Sequence, residues 1–175
     1  MAPSKRNYVN NADLLAAMKE YLAACAEADE QDKEVPQVPR YVGNCIFEIA
    51  TRLASRPNFS GYSFKEDMIM DGVENCLQYI RNFNPEKSTN AFAYFTQIIW
   101  YAFIRRIHKE KRQMYVKYKA GQNLLHAGET YEGDEMLNLN TSSDFVNAFI
   151  EDYEEKNLPK SKKSKTKKVD NNDEW

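Results

Sequence analysis

Apolar residues recur every three or four positions through most of the first 119 residues, whereas no stretch shows sustained alternation of apolar and polar residues between turn signals. This spacing gathers apolar side chains on one face of a helix, while a half-buried strand requires the alternation. We therefore expect an all-α fold, a compact helical bundle with a flexible C-terminal extension. Asn11–Asp13 supplies plausible N-caps for the first of four predicted helices, and the others are expected to begin near Arg40, after Ser63 and near Ala91.

Local signals predict where these helices begin and end. The first helix runs into the acidic stretch Glu27–Glu34 and the second is stopped at Pro57, because acidic and proline-rich segments favour surface loops. Ser63 and Glu66 have the spacing of a capping box, which predicts the start of the third helix. That helix is expected to end near residue 81, and the fourth near residue 119.

The length of 175 residues and the 42% hydrophobic content leave room for one ordinary domain with appendages. We predict an N-terminal tail over 1–10, a helical domain over 11–119 and a linker over 120–143. The remaining residues, 144–175, are predicted to form a docking segment followed by a lysine-rich tail. The apolar residues of that segment are Phe145, Val146, Phe149 and Ile150.

The sequence offers no catalytic centre, metal site or cofactor motif. His108 and His126 are eighteen residues apart without acidic or cysteine neighbours at ligand spacing, and no phosphate-binding loop or nucleophile motif occurs. Cys25, Cys45 and Cys76 lie within apolar patterns and are expected to be buried thiols. No apolar run is long enough to span a membrane, so we expect a soluble cytoplasmic protein that is not an enzyme.

The third helix carries two apolar stripes where a surface helix needs one. The first consists of Met68, Ile69, Gly72, Cys76 and Ile80 and can face a core. The second consists of Met70, Val73 and Leu77, and acidic residues flank it. Either the helix is buried on both sides, or the second stripe is an exposed face that binds a basic partner helix.

The fourth helix begins with aromatic residues and continues with basic ones. Aromatic rings stack on unpaired bases and basic side chains neutralise phosphates, so this mixture is suited to holding a melted DNA strand beside a duplex. A structural alternative is an aromatic core with a solvated basic end. The residues are Phe92, Tyr94, Phe95, Trp100, Tyr101 and Phe103, then Arg105, Arg106, Lys109, Lys111, Arg112, Lys117 and Lys119.

Two segments resemble region two of bacterial sigma factors. DMIMDGVENCLQYIRNF (67–83) resembles the helix of that region that binds the clamp coiled coil of RNA polymerase, and AFAYFTQIIWYAFIRRIH (91–108) resembles the helix that melts the minus-ten element. The likeness is ungapped and covers about 42 of the 175 residues. The residues that match family identities are Asp67, Ile69, Gly72, Phe83, Tyr94, Thr96, Ile99, Ala102 and Arg105.

The resemblance implies a polymerase-binding face on the third helix. It consists of Asp67, Met70, Asp71, Val73, Glu74 and Leu77. The face coincides with the second apolar stripe and its acidic flank.

The resemblance also implies a DNA-binding face, in which Phe83 and Tyr94 occupy the positions of family aromatics that hold a flipped-out adenine. The sequence departs from the family at Gln97 and Ile98, which replace tandem tryptophans, and at Trp100 and Tyr101, which replace an arginine and a glutamine. The full predicted set is Phe83, Asn90, Tyr94, Gln97, Trp100, Tyr101, Arg105, Arg106, Lys109 and Arg112.

The whole chain resembles the late-transcription sigma factors of T-even bacteriophages, which lack a domain for the upstream promoter box. The resemblance implies a late co-activator and the replication sliding clamp as further partners, and a location in the cytoplasm of the bacterial host, at the nucleoid during transcription. The predicted contacts with the sliding clamp are Asp173, Glu174 and Trp175.

Two other classes of function remain open. A helical polymerase-binding adaptor or anti-sigma protein would use the third-helix face without contacting DNA. A nucleic-acid enzyme would need clustered carboxylates to hold a metal, and Asp67, Asp71 and Glu74 could imitate such a cluster.

Overall fold

The computed structural model describes residues 8–127 and 144–157, and all regular elements in this part of the chain are helical, which confirms the all-α prediction. The predicted C-terminal extension beyond 157 and most of the predicted linker lie outside the described residues. No described helix is both long enough and apolar enough to cross a membrane. The elements are α1 (Asn11–Glu30), α2 (Arg40–Ala54), α3 (Pro57–Ser60), α4 (Lys65–Tyr79), a 3-10 turn (Ile80–Asn82), α5 (Ala91–Ala127) and α6 (Asp144–Asn157).

The chain divides into two compact units, which we call unit 1 (up to Glu110) and unit 2 (from Lys111 onward). This division falls within α5, which continues to Ala127, eight residues beyond its expected end near 119. The first residues of the predicted linker are therefore helical. Periodicity alone did not indicate this extension, because the alanine, glycine, glutamine and asparagine of 120–123 form no apolar pattern.

The core of unit 1 is formed by the apolar faces of α1, α2, α4 and α5. Gly72 lets α4 approach α5 closely, since a Cβ atom added there would lie 3.0 Å from Ile99 Cγ2 and 3.1 Å from Phe103 Cε1. Ile99 and Phe103 are themselves fully buried. The three cysteines are buried as predicted. Other large, fully buried side chains are Phe59, Phe95, Leu14, Met18, Ile46, Ile49 and Met68.

The short α3 contributes to this core where the sequence predicted only a stop. Phe59 is fully buried and makes edge-to-face contacts with Trp100 (ring centroids 4.9 Å apart) and Phe103 (5.1 Å). Pro57 begins the turn, as a proline can at the first helical position. The segment therefore ends α2 and also anchors α5.

Two predicted helix starts differ from the structure. The N-cap of α1 is Asn10, whose Oδ1 accepts from the backbone N–H of Ala12 at 3.0 Å, and not a residue of 11–13. The capping box of Ser63 and Glu66 is wrong, because α4 begins at Lys65 with Phe64 at the N-cap and no side-chain cap bond. Phe64 packs against the core and against Tyr62, ring centroids 5.1 Å apart, so packing sets this start.

Unit 2 contains a second, small core between α6 and the part of α5 from Lys111 onward. Tyr118, Val146 and Ile150 are buried there, and Tyr115 and Phe149 pack against them. The Tyr115 and Tyr153 rings stack with centroids 4.5 Å apart. The apolar group predicted as a docking segment thus forms one side of an internal helix pair, although Phe145 remains exposed.

Candidate functional site

The second apolar stripe of α4 is exposed in unit 1. Met70 is 59% exposed and Leu77 is 42% exposed, while Val73 between them is half-buried. The first stripe is buried at Met68, Gly72 and Cys76. The alternative of a helix buried on both sides is therefore wrong, and α4 presents two large apolar side chains to solvent.

Two of the three flanking carboxylates are also exposed, and the third is engaged within the molecule. Asp67 and Glu74 are exposed beside the stripe. Asp71 accepts a bidentate pair of bonds from Arg106 on α5, Nε to Oδ2 at 2.6 Å and Nη2 to Oδ1 at 2.8 Å. The stripe therefore has a net acidic flank on which Asp71 is already neutralised. This α4 surface, Asp67, Met70, Val73, Glu74 and Leu77, is called the docking face below.

Arg106, which was predicted to contact DNA, is paired with two carboxylates in the structure. Its side chain is 17% exposed and lies between Asp71 and Glu110, with Nη1 3.2 Å from Glu110 Oε1. The hydrogen bonds that Arg106 donates to Asp71, and after them the one that it donates to Glu110, raise the pKa of Arg106, although burial opposes the shift. A guanidinium held by two carboxylates is not available to a phosphate unless both pairs break.

An open aromatic groove of about 470 Å³ lies along the first three turns of α5. It brings together four residues of the predicted DNA-binding set, and Tyr101 among them is 54% exposed. Trp100 forms one wall and is held by its edge-to-face contact with Phe59. The lining residues are Asn90, Phe92, Ala93, Thr96, Gln97, Trp100 and Tyr101. We call this surface the aromatic groove.

Phe83 and Tyr94 do not form an open base-stacking pair. Phe83 is 4% exposed and belongs to the core, which corrects its predicted role, since a buried ring offers no face to a base. Tyr94 is half-buried, with its ring centroid 5.1 Å from that of Phe83, and its hydroxyl donates to the carbonyl of Tyr79 at 2.8 Å. Burial raises the pKa of Tyr94. Both rings fix the turn between α4 and α5.

Asn90 acts first as a helix cap. Its Oδ1 accepts from the backbone N–H of Ala93 at 2.9 Å, satisfying one of the donors that a helix start leaves open. Asn11 satisfies a second, because its Oδ1 accepts from Phe92 N at 3.1 Å while its Nδ2 donates to Thr89 O at 3.0 Å. The rim of the aromatic groove is thereby tied to the start of α1.

The other predicted basic contacts are exposed. Arg105 donates to Asn75 Oδ1 at 2.6 Å and retains further donors, and Lys109 lies one turn beyond it. Arg112 is exposed in unit 2. The predicted sliding-clamp contacts, Asp173, Glu174 and Trp175, lie outside the described residues.

A second groove, also about 470 Å³, was not predicted. It runs along the outer face of α2 and is lined by Tyr8, Tyr41, Asn44, Cys45, Phe47 and Glu48. Arg52 lies over the Tyr8 ring, 4.5 Å from its centroid. The positions 41, 44, 45 and 48 have helical spacing, so this face has a signal in the sequence. The apolar stripe of Val42, Ile46 and Ile49 on the same helix gives a stronger signal.

Within 8–127 and 144–157, no three side chains of the metal-ligating types His, Cys, Asp and Glu lie close enough together to hold an ion. Asp71 in particular is directed at Arg106 rather than at Asp67 or Glu74. The carboxylates that imitate a metal cluster in the sequence do not form one in the described structure.

No model of a known protein family matches the chain, and no curated protein matches its sequence. The geometry of unit 1 therefore carries the functional argument.

Proposed function

We propose that the chain is a sigma-like transcription initiation factor. It binds the clamp coiled coil of the largest subunit of core bacterial RNA polymerase, and recognises and melts an A/T-rich minus-ten-type element of phage late promoters. Activation by the replication sliding clamp, with a late co-activator, belongs to the same proposal. The resemblance of residues 67–108 to sigma region two suggests this function.

The exposure of Met70 and Leu77 on α4 is the observation that carries the proposal. Unit 1 has a complete core without these side chains, so their exposure serves no packing purpose within it. Apolar anchors spaced by seven residues on one helix, with carboxylates beside them, are complementary to an apolar and basic helix. A coiled-coil hairpin with basic flanks is a partner of this kind.

The aromatic groove supports the DNA-binding half of the proposal. Trp100 and Tyr101 lie at its wall, and Arg105 follows on the next turn of α5, so ring faces for unpaired bases precede a cation for a phosphate. The groove and the docking face are on helices in direct contact through Gly72. One protein could then hold polymerase and a melted strand at once.

A polymerase-binding adaptor or anti-sigma protein is the second candidate. The buried Phe83 and the paired Arg106 favour it, because they remove two of the ten predicted DNA contacts. This candidate keeps the docking face and requires no function of the aromatic groove.

Transcription in vitro tests the proposal, using core polymerase with and without this protein on a supercoiled library of A/T-rich promoters. We expect specific transcripts with the intact chain and none with Leu77→Asp. Loss of a central apolar anchor costs about 2 kcal/mol or more, so affinity for core polymerase should fall at least about thirtyfold.

Phe47→Asp is the matched control, because Phe47 is an equally exposed apolar residue on α2. It should leave polymerase binding unchanged, and circular dichroism should show both variants folded. Equal loss from both variants would mean that the docking face has no special role. Polymerase binding without any transcript, and without crosslinks to promoter DNA, would favour the adaptor.

A further inference from the structure

The segment that joins α1 to α2 is extended and contains two prolines three residues apart. Prolines fix the backbone at φ of about −65° and favour an extended conformation in the residue before them. Pro39 has φ −56° and ψ 136°, which is polyproline II geometry. No backbone hydrogen bond joins 34–38 to another described residue. We call residues 34–40 the proline segment.

One edge of the proline segment carries opposite charges at its two ends. Polyproline II has three residues per turn, so Glu34, Gln37 and Arg40 share an edge at intervals of about 9 Å. All three are exposed, whereas Pro36 and Pro39 on another edge are half-buried. Neither Glu34 nor Arg40 forms an ion pair with a described side chain. The exposed edge therefore presents a carboxylate, an amide and a guanidinium that remain open to a partner.

The unpredicted groove on the outer face of α2, called the α2 groove below, is acidic towards the start of the helix. Cys45 lines this part of the groove. Burial raises the pKa of the Cys45 thiol, and the carboxylates of Glu48 and Asp13 raise it further. Asp13 and Glu48 are both exposed, so their charges can also act on a bound cation.

The other end of the α2 groove is basic. Arg52 lies over the Tyr8 ring, and burial raises the pKa of the Tyr8 hydroxyl while the charges of Arg56 and Arg52 oppose the shift. The carboxylate of Glu48 lies 3.9 Å from Arg52 Nη2, and both side chains are about half exposed. Such an exposed pair is weak, so each member can pair with a group of a second molecule.

The proline segment and the α2 groove have complementary charges and similar lengths. The segment spans about 19 Å at the rise of polyproline II, and α2 advances about 16.5 Å between positions 41 and 52. A segment that runs antiparallel to α2 places Arg40 at the acidic end and Glu34 beside Arg52. Within one molecule the segment leads directly into the start of α2, so it cannot lie along its own groove.

The groups between the charged ends also match. Gln37 of the proline segment and Asn44 of the groove are exposed amides, and neither forms a side-chain hydrogen bond with another described residue. Two amides can each donate and accept one bond. Val35 is an exposed apolar residue of the segment, and the exposed rings of Tyr41 and Phe47 in the groove can cover it.

We propose that two copies of this chain associate, with the proline segment of each bound in the α2 groove of the other. The segment and the groove adjoin at the start of α2, so a two-fold axis allows both contacts to form at once and closes the assembly as a dimer. The α2 groove shares no residue with the docking face or the aromatic groove. Dimer formation therefore goes beyond the proposed initiation function and does not depend on it.

Sedimentation velocity of the full chain, from about 1 μM to about 1 mM, tests the proposal. We expect a monomer–dimer equilibrium. Arg40→Glu and Glu48→Arg should each raise the dissociation constant of the dimer about tenfold or more, because each brings like charges together. The two changes combined in one chain restore opposite charges and should restore the dimer. Glutamate is favourable in the first turn of a helix, so Arg40→Glu should fold.

The matched controls, Lys87→Glu and Glu20→Arg, reverse exposed charges elsewhere in unit 1 and should leave the dissociation constant unchanged. A synthetic peptide of residues 33–41, KEVPQVPRY, should dissociate the dimer, and the same peptide with glutamate in place of Arg40 should not. A chain that stays monomeric throughout the range overturns the proposal. So does a dimer that neither single reversal weakens, a combined variant that does not recover, or growth beyond the dimer.

No polymerase or promoter is present in these measurements, so failure of the proposed initiation function leaves their result unaffected.

Discussion

Gly72 is the residue on which the contact between α4 and α5 depends. Its neighbours Ile99 and Phe103 are fully buried in a core without room to move, so an added methyl group has to displace them. The same contact sets the rotation of α4, and hence which of its two stripes faces solvent.

Gly72→Ala should therefore destabilise unit 1. Overpacking costs about 1–3 kcal/mol, which exceeds the gain of about 1 kcal/mol from replacing a helical glycine. Urea denaturation followed by circular dichroism measures the change. Gly43→Ala is the control, since a methyl group there meets no atom within 4 Å, and it should stabilise the protein by about 0.5–1 kcal/mol. Stabilisation by both variants would contradict the packing argument.

Tyr101→Ala tests the aromatic groove without disturbing the core, because the Tyr101 ring is mostly in solvent. Loss of one stacking platform costs about 1–3 kcal/mol, so promoter opening should fall by about 5- to 150-fold while polymerase binding persists. Permanganate footprinting of the melted strand measures opening. Tyr41→Ala, which removes an exposed tyrosine from α2, should open promoters normally.

The sequence predicts which side chains share a face of one helix. It does not predict which side chains meet when two helices pack together. The spacing on α4 alone gathers Met70, Val73 and Leu77 on one stripe, although it left open whether that stripe is buried or exposed. Whether Arg105 or Arg106 turns toward Asp71 depends on the rotation of α5 against α4, which Gly72 and Ile99 set. Phe83 was assigned to DNA by resemblance, yet the turn after α4 directs its ring into the core.

At the scale of elements, α6 is held to α5 by a polar group beside its small core. Glu154 accepts from Tyr115 at 2.9 Å and pairs with Lys119 at 2.9 Å. The hydrogen bond from Lys119, and next that from Tyr115, lower the pKa of Glu154, and the same contacts raise the pKa of both partners. The C-terminal half of α6 is thus held to α5 by charge.

The attachment of α6 should weaken in acid. A carboxyl whose pKa is lowered on folding stabilises the folded state above its unfolded pKa of about 4.3, and this contribution disappears as pH falls through the lowered value. Amide exchange in 148–157, expressed relative to the intrinsic exchange rate of an unfolded chain at each pH, should therefore accelerate below about pH 4.3. Glu154→Gln should accelerate it already at neutral pH and reduce the acid response.

Glu151→Gln is the control for that experiment, because Glu151 is exposed on the same helix and forms no ion pair with the described side chains. An acid response that persists unchanged in Glu154→Gln would assign it to another group.

The helices themselves were largely predictable. The starts of α2 and α5 and the boundaries of the core follow from apolar periodicity, which is a property of each segment. The start of α4 was not predictable from the capping-box spacing, because packing of Phe64 moves that start past Ser63. The packing of α6 against α5 was not predictable either, because the apolar residues Val146 and Ile150 could equally have bound another protein.

At the scale of the whole molecule, the described residues form two separate cores, one in unit 1 and one in unit 2. The all-α class was predictable because no segment has the period of a strand. The division at Glu110 was not, because one unbroken helix passes through it and no loop marks the boundary. The docking face and the aromatic groove, on which the proposed initiation function rests, both belong to unit 1.

Deletion of 169–175 should spare basal initiation and abolish stimulation by a DNA-loaded sliding clamp. Trp175 is the one aromatic residue after the lysines, and large aromatics anchor small interfaces. Trp175→Ala should reproduce the deletion, and transcription with and without the sliding clamp measures both. Val169→Ala should retain stimulation. Full stimulation of the truncated chain would place the contact elsewhere, for example at the exposed Phe145.

The hydrogen bonds of the Asn11 side chain affect when α1 can reach its final position during synthesis on the ribosome. Its two hydrogen-bond partners, Thr89 O and Phe92 N, are 78 and 81 residues away. At a synthesis rate of about 5–20 residues per second, the later partner is made about 4–16 s after Asn11. For that interval the apolar surface of α1 and α2 that α5 covers in the folded protein is exposed, so chaperones can bind it before residue 92 is made.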